Sequence, residues 1–93
     1  MSIEKTDSKP RLTTPLIVYA TQWCGDCVRA KRVLDQYGVP YQWIDVDEDQ
    51  DSMRVVERLN RGYHSVPTII FPDGSHLTEP SSRELTEKLG LTP

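Results

Sequence analysis

The hydrophobic and polar positions divide this chain into short apolar runs separated by amphipathic stretches. Leu16-Ile17-Val18-Tyr19-Ala20 is continuously apolar. Such a run marks a strand buried on both faces, so it belongs at the centre of a parallel or mixed sheet. Thr21 to Cys24 is the connecting loop. From about Cys27 to Tyr37 the period becomes helical. Ala30, Val33, Leu34 and Tyr37 share one face, and Arg29, Arg32 and Gln36 share another. Gly38 terminates this helix and Pro40 prevents its continuation.

Tyr41 to Val46 reads as a second strand, and the strand–helix–strand order implies a parallel crossover. Asp49 and Asp51 are candidate caps for a second helix. Met53, Val56 and Leu59 line one side of it. Arg54, Glu57, Arg58 and Arg61 line the other, with Glu57–Arg61 as an i,i+4 pair, and Gly62 closes it. Thr68 to Phe71 is a third strand. Pro72-Asp73-Gly74 turns it into a short fourth strand, Ser75 to Leu77, as an antiparallel hairpin. Ser81 with Glu84 forms a capping box opening a last helix, braced by Glu84–Lys88 and ended by Gly90. The order is β-α-β-α-β-β-α, an α/β pattern without internal repeats.

Composition narrows the function classes. Ninety-three residues with 37 % hydrophobic and 27 % charged side chains suit one small domain. Residues 1–14 are polar and read as a flexible tail; residues 15–93 form the domain. A formal net charge of −3 argues against nucleic acid as the main partner. No apolar stretch is long enough to span a bilayer, and the first residues lack the layout of a signal peptide. A cytoplasmic monomer is the expectation.

In that compartment a close cysteine pair is redox-active or metal-binding more often than a structural staple. The chain has two cysteines, Cys24 and Cys27, in Trp23-Cys24-Gly25-Asp26-Cys27. Cys24 falls at a predicted helix N-terminus, where unpaired N–H groups and the helix dipole favour a thiolate. It is the expected nucleophile. Cys27, one turn in and less exposed, is the expected resolving thiol. Two inert thiols, or half of a metal site, are the other readings of this spacing. Asp26 places a carboxylate beside the pair, which opposes a thiolate and discourages anionic thiols, or simply stabilises the helix start. His64 could approach Cys24 as an imidazolium. Trp23 offers an apolar contact beside the sulfur, and His76 reads as a surface residue.

The cysteine motif after the first strand, Ser65-Val66-Pro67-Thr68 before the third, and the element order together resemble the thioredoxin superfamily. The resemblance covers roughly Leu16 to Gly90. Only a short polar tail precedes the motif strand, as in glutaredoxins. Thr21-Gln22-Trp23-Cys24-Gly25-Asp26-Cys27 and Asp73-Gly74-Ser75-His76-Leu77-Thr78-Glu79-Pro80-Ser81 are similar to the mycoredoxin-type glutaredoxins of actinobacteria. Three positions depart from typical glutaredoxins: Asp26 stands where they have tyrosine, Thr21 where they often have lysine, and Leu77 to Ser81 where they have a Gly-Gly pair. These departures bear on which small thiol is taken.

The resemblance implies a thioredoxin fold of glutaredoxin type, with a four-stranded mixed sheet flanked by helices. It implies a thiol–disulfide oxidoreductase that reduces protein disulfides or mixed disulfides between proteins and a low-molecular-weight thiol, mycothiol or glutathione. Electrons would come from that thiol or from a flavoprotein reductase, with no metal or organic cofactor. It implies a cis bond at Pro67 that exposes the Val66 backbone to an extended substrate. It also assigns the small thiol's polar end to Thr78, Ser81 and Ser82. The alternatives are a thioredoxin-like electron donor to ribonucleotide reductase or another cytosolic enzyme, and a metal or iron–sulfur binding module.

Overall fold

The computed structural model describes residues 15–91. The predicted tail, residues 1–14, lies outside them. The elements are β1 (Leu16–Ala20), α1 (Gly25–Gln36), β2 (Tyr41–Asp45), α2 (Gln50–Leu59), β3 (Thr68–Ile70), β4 (His76–Thr78) and α3 (Ser82–Leu89). Their sheet has the order β2-β1-β3-β4. β1 runs parallel to β2 and antiparallel to β3, and β3 is antiparallel to β4. This is the expected mixed, four-stranded α/β sheet.

The apolar run of β1 occupies an interior position because it must be covered twice. Successive side chains alternate between faces. Leu16, Val18 and Ala20 join Ala30, Val33 and Leu34 of α1 and Leu85 of α3 in one cluster, with Ile69 of β3. Tyr19 packs on the other face with Val46 and with Val56 of α2. Leu34, Ile69 and Leu85 are fully buried. Burying each such side chain stabilises the fold by roughly 1.5–3 kcal/mol. Among the described residues no helix is long and apolar enough to cross a membrane.

Several boundaries shift for local reasons. α1 begins two residues before the predicted start because Cys24 itself is the N-cap, its sulfur accepting the Cys27 N–H. β2 ends at Asp45, although Val46 still donates its N–H to Ala20 at 3.0 Å. Asp49, rather than Asp51, caps α2, accepting the N–H groups of Asp51 and Ser52. The Glu57–Arg61 pair does not form, because α2 stops at Leu59 and Arg61 takes a left-handed conformation, φ 58°. Glu57 instead meets His64. Nor does Glu84 reach Lys88. Its carboxylate accepts the Ser81 N–H at 2.8 Å, completing the predicted capping box, while Lys88 extends to Asp73 at 3.4 Å.

Candidate active site

Two segments meet at the carboxyl end of β1. The antiparallel register pairs Tyr19 with Thr68, so the loop leaving β1 lies beside the loop entering β3. The first loop carries Cys24 into the N-cap of α1. The second carries Val66–Pro67, whose peptide bond is cis as expected. Pro67 is buried and Val66 half-buried, the latter packed against both apolar clusters.

The two cysteines occupy different environments. Cys24 is half-buried, and its sulfur accepts the Cys27 backbone N–H at 3.4 Å. Its thiol donates towards the Val66 carbonyl at 3.8 Å. A backbone donor on the sulfur at a helix start suits a thiolate. Cys27 is wholly buried, 0 % exposed, among Ala20, Ala30 and Leu34. Burial above all, with a smaller contribution from the adjacent Cys24, pushes its thiol up to about 12. Cys27 is therefore neutral at physiological pH and cannot start an attack on a substrate. Both thiols are free.

The other anticipated residues sit as follows. Trp23 is 77 % exposed, and its indole N–H donates to Asp47 at 2.9 Å. It projects over the surface beside Cys24 instead of packing into the core. Asp26 pairs with Arg29 at 2.9 Å, both about half exposed. Arg29 thus offsets the charge that the sequence places beside the thiols. Exposed pairs of this kind contribute no more than about 1 kcal/mol. Asp26→Asn should accordingly change the ratio of Cys24 reaction rates with an anionic and a neutral disulfide probe by less than about fivefold. Arg29→Ala should slow the anionic probe more than that. A tenfold gain for the anionic probe in Asp26→Asn would contradict this account.

His64 is exposed and its Nε2 meets the Glu57 carboxylate, so the ring is engaged by α2. The contacts of the Cys24 sulfur are with Cys27 and Val66, and His64 is not among them. Thr78 donates to Asn60 Oδ1 at 2.6 Å, within a polar network behind the Pro67 loop. Ser81 caps α3 by accepting the Glu84 N–H at 3.0 Å. Ser82, the first residue of α3, is exposed and lines a groove of about 710 Å³ between α1 and α3, with Arg29, Arg32 and Tyr37. Ser81 and Ser82 are thus at one helix start, whereas the hydroxyl of half-buried Thr78 is engaged by Asn60.

Sequence reasoning did not single out Asn60, Thr68 or Asp47. Asn60 Nδ2 donates to the Val56 carbonyl at 2.8 Å and to Thr68 Oγ1 at 3.0 Å. Thr68 in turn donates to the Ser65 carbonyl at 2.7 Å. This network ties the end of α2 to both sides of Pro67. Its one signal in the chain is an Asn in the last turn of the predicted helix, which in the structure is the C-cap of α2. Among the described residues no cluster of three His, Cys, Asp or Glu could hold a metal ion.

A mixed sheet carrying a dithiol at a helix N-terminus, faced by a cis proline, defines a thioredoxin-like protein built for thiol–disulfide exchange. The glutaredoxin family model matches residues 16–77. The chain is 38 % identical over 78 residues to a Mycobacterium tuberculosis protein named as a glutaredoxin, covering 84 % of this chain and 93 % of that one. It is 39 % identical over 72 residues to mycoredoxin 1 of Corynebacterium glutamicum, covering 77 % and 89 %. A mutant of the thioredoxin-like protein BC3987 superposes with a TM-score of 0.74 at 26 % identity, covering 85 % of this chain and 99 % of that one. The glutaredoxin of Archaeoglobus fulgidus shares the fold, with a TM-score of 0.69 at 23 % identity and 80 % and 84 % coverage. The chain belongs to the glutaredoxin family, and thiol–disulfide oxidoreduction is the activity of its class.

Proposed function

We propose that this protein reduces mixed disulfides between proteins and a low-molecular-weight thiol, with Cys24 as the nucleophile and Cys27 as the resolving thiol. One observation carries the reading: Cys24 is accessible and receives a backbone N–H, while its partner is sealed in the core as a neutral thiol. The Cys24 thiolate attacks the small thiol's sulfur. The protein thiolate departs and takes up a proton, leaving the small thiol disulfide-bonded to Cys24. A second small thiol can then attack that adduct, releasing an oxidised dimer and regenerating Cys24. Alternatively Cys27 attacks Cys24, expels the small thiolate and leaves an internal disulfide for a flavoprotein reductase to reduce.

The likeness to mycoredoxin 1 favours mycothiol as the small thiol. Ser81 and Ser82 at the start of α3 supply a polar edge for it. Trp23 and the Val66 backbone supply the contacts for a protein substrate. A cytoplasmic monomer completes the proposal, since a reduced dithiol persists where thiol pools are reducing.

The thioredoxin-like reading, electron donation to ribonucleotide reductase or another enzyme, rests on the same buried Cys27, which is placed to close an internal disulfide. Cys27→Ser separates the two. With a protein–mycothiol mixed disulfide as substrate, the variant should keep most of the wild-type rate when mycothiol is the reductant. Glutathione should serve both proteins less well. Activity that disappears with Cys27→Ser and returns only with thioredoxin reductase and the wild-type dithiol would overturn the small-thiol route.

A further inference from the structure

The groove of about 710 Å³ between α1 and α3 carries an excess of one charge. Arg29 and Arg32 line it from α1 and Arg83 from α3, against one carboxylate, that of Glu87. All three arginines are exposed. Arg29 pairs with Asp26 and Arg83 with Glu87, while Arg32 makes no ion pair among the described residues. Even with Asp26 counted, cations outnumber anions there, in a chain whose formal net charge is −3. A basic patch on an acidic protein favours an anionic occupant and raises its local concentration.

The shape of the groove narrows the occupant further. From Arg29 to the C-cap Tyr37 the α1 wall extends about 12 Å, at about 1.5 Å per residue. An extended peptide covers that length with about four residues. Guanidiniums spread along it suit spaced carboxylates on a polypeptide; a single small anion needs donors converging on one point. The near end adjoins the dithiol, because Asp26, the partner of Arg29, lies between Cys24 and Cys27. A polypeptide whose disulfide has reached Cys24 therefore brings its flanking residues to the groove. Residues 1–14 carry Lys5, Lys9 and Arg11 against Glu4 and Asp7, so they lack the charge to fill it. We propose that the groove is the docking site for an acidic segment of the protein substrate, flanking the disulfide that Cys24 attacks. Docking there rests on the Cys24 role proposed above and supplies the charge of its substrate. The exchange chemistry is untouched, so the effect falls on KM. Exposed ion pairs contribute little singly, so selectivity comes from several together and weakens with salt.

The test uses two peptides, each with a single cysteine held in a mixed disulfide with mycothiol. One has glutamates at alternate flanking positions and the other has glutamines there. At low ionic strength the wild type should show a kcat/KM about tenfold higher for the glutamate peptide, mostly through KM, and the difference should fade as salt is raised. Arg32→Glu combined with Arg83→Glu should abolish that preference and favour a lysine peptide. The same protein should reduce a neutral small disulfide, hydroxyethyl disulfide, at the wild-type rate. A wild type blind to peptide charge overturns the proposal, as does a charge-reversed protein that keeps the glutamate preference. If the double variant fails to fold, Arg32→Gln with Arg83→Gln is read by loss of the preference. A dimer in sedimentation that charge reversal dissolves would give the groove to a second copy and also overturn the proposal. Failure of the wild type on hydroxyethyl disulfide would instead sink the Cys24 assignment.

Discussion

Cys24→Ser should lower mixed-disulfide reduction on the order of a thousandfold or more, to the rate of the uncatalysed thiol. The reacting species is a sulfur anion, and at neutral pH a serine hydroxyl neither ionises nor attacks a disulfide. Cys27 cannot substitute, because it is 0 % exposed and held neutral by its burial. The fold should not suffer. Cys24 is the N-cap of α1, with extended backbone (φ −85°, ψ 122°), and its sulfur accepts the Cys27 N–H. Serine ranks among the best N-caps. An unchanged or slightly higher unfolding midpoint, together with the lost turnover, would separate chemistry from structure. Substantial turnover by the serine variant would mean that another group starts the reaction.

Asn60→Ala should destabilise the protein by about 2–4 kcal/mol. Three side-chain hydrogen bonds disappear at once, those to the Val56 carbonyl, the Thr68 hydroxyl and the Thr78 hydroxyl. Each contributes about 0.5–1.5 kcal/mol, and groups stranded away from water add to the loss. Thr68 is fully buried, so its hydroxyl cannot turn to solvent for a replacement. Domains of this size hold only about 5–15 kcal/mol in total, so the shift is large. Denaturant unfolding at constant m-value would measure it. Thr78→Val removes one of the three bonds and should cost about 1 kcal/mol. Because Thr68 follows Pro67 and also holds the Ser65 carbonyl, Asn60→Ala should additionally slow substrate reduction in the fraction that remains folded. A stability change below about 1 kcal/mol would show that the network is dispensable.

Both expectations draw on features read with unequal ease. The cysteine pair, the proline of the Ser65–Thr68 segment and the capping box at Ser81 are all local signals. The Cys24–Cys27 contact and the capping box close within three residues, and the structure keeps them. The opposite holds for Asn60, which joins α2 to β3 and β4, and for Trp23, which finds Asp47 across 24 positions. Neither partner can be chosen from a window of sequence. Surface charges were the least legible. Glu57, Arg61, Glu84 and Lys88 had the right helical spacing. Yet one helix ended early and one carboxylate was already engaged by its own cap.

From the order of its residues alone, this chain specifies a doubly covered β1, three helices with their start and stop signals, and a dithiol at the first helix start. Those follow from side-chain periodicity and capping chemistry, which act over a single turn or strand. Tertiary packing decides the rest. It seals Cys27 in the core while leaving Cys24 reachable, and it draws the Pro67 loop against the sulfur through the pairing of β1 with β3. It also leaves the Thr21 hydroxyl buried without a hydrogen-bond partner among the described residues. Burial depends on what distant segments cover, and that is settled only when the sheet closes over its helices.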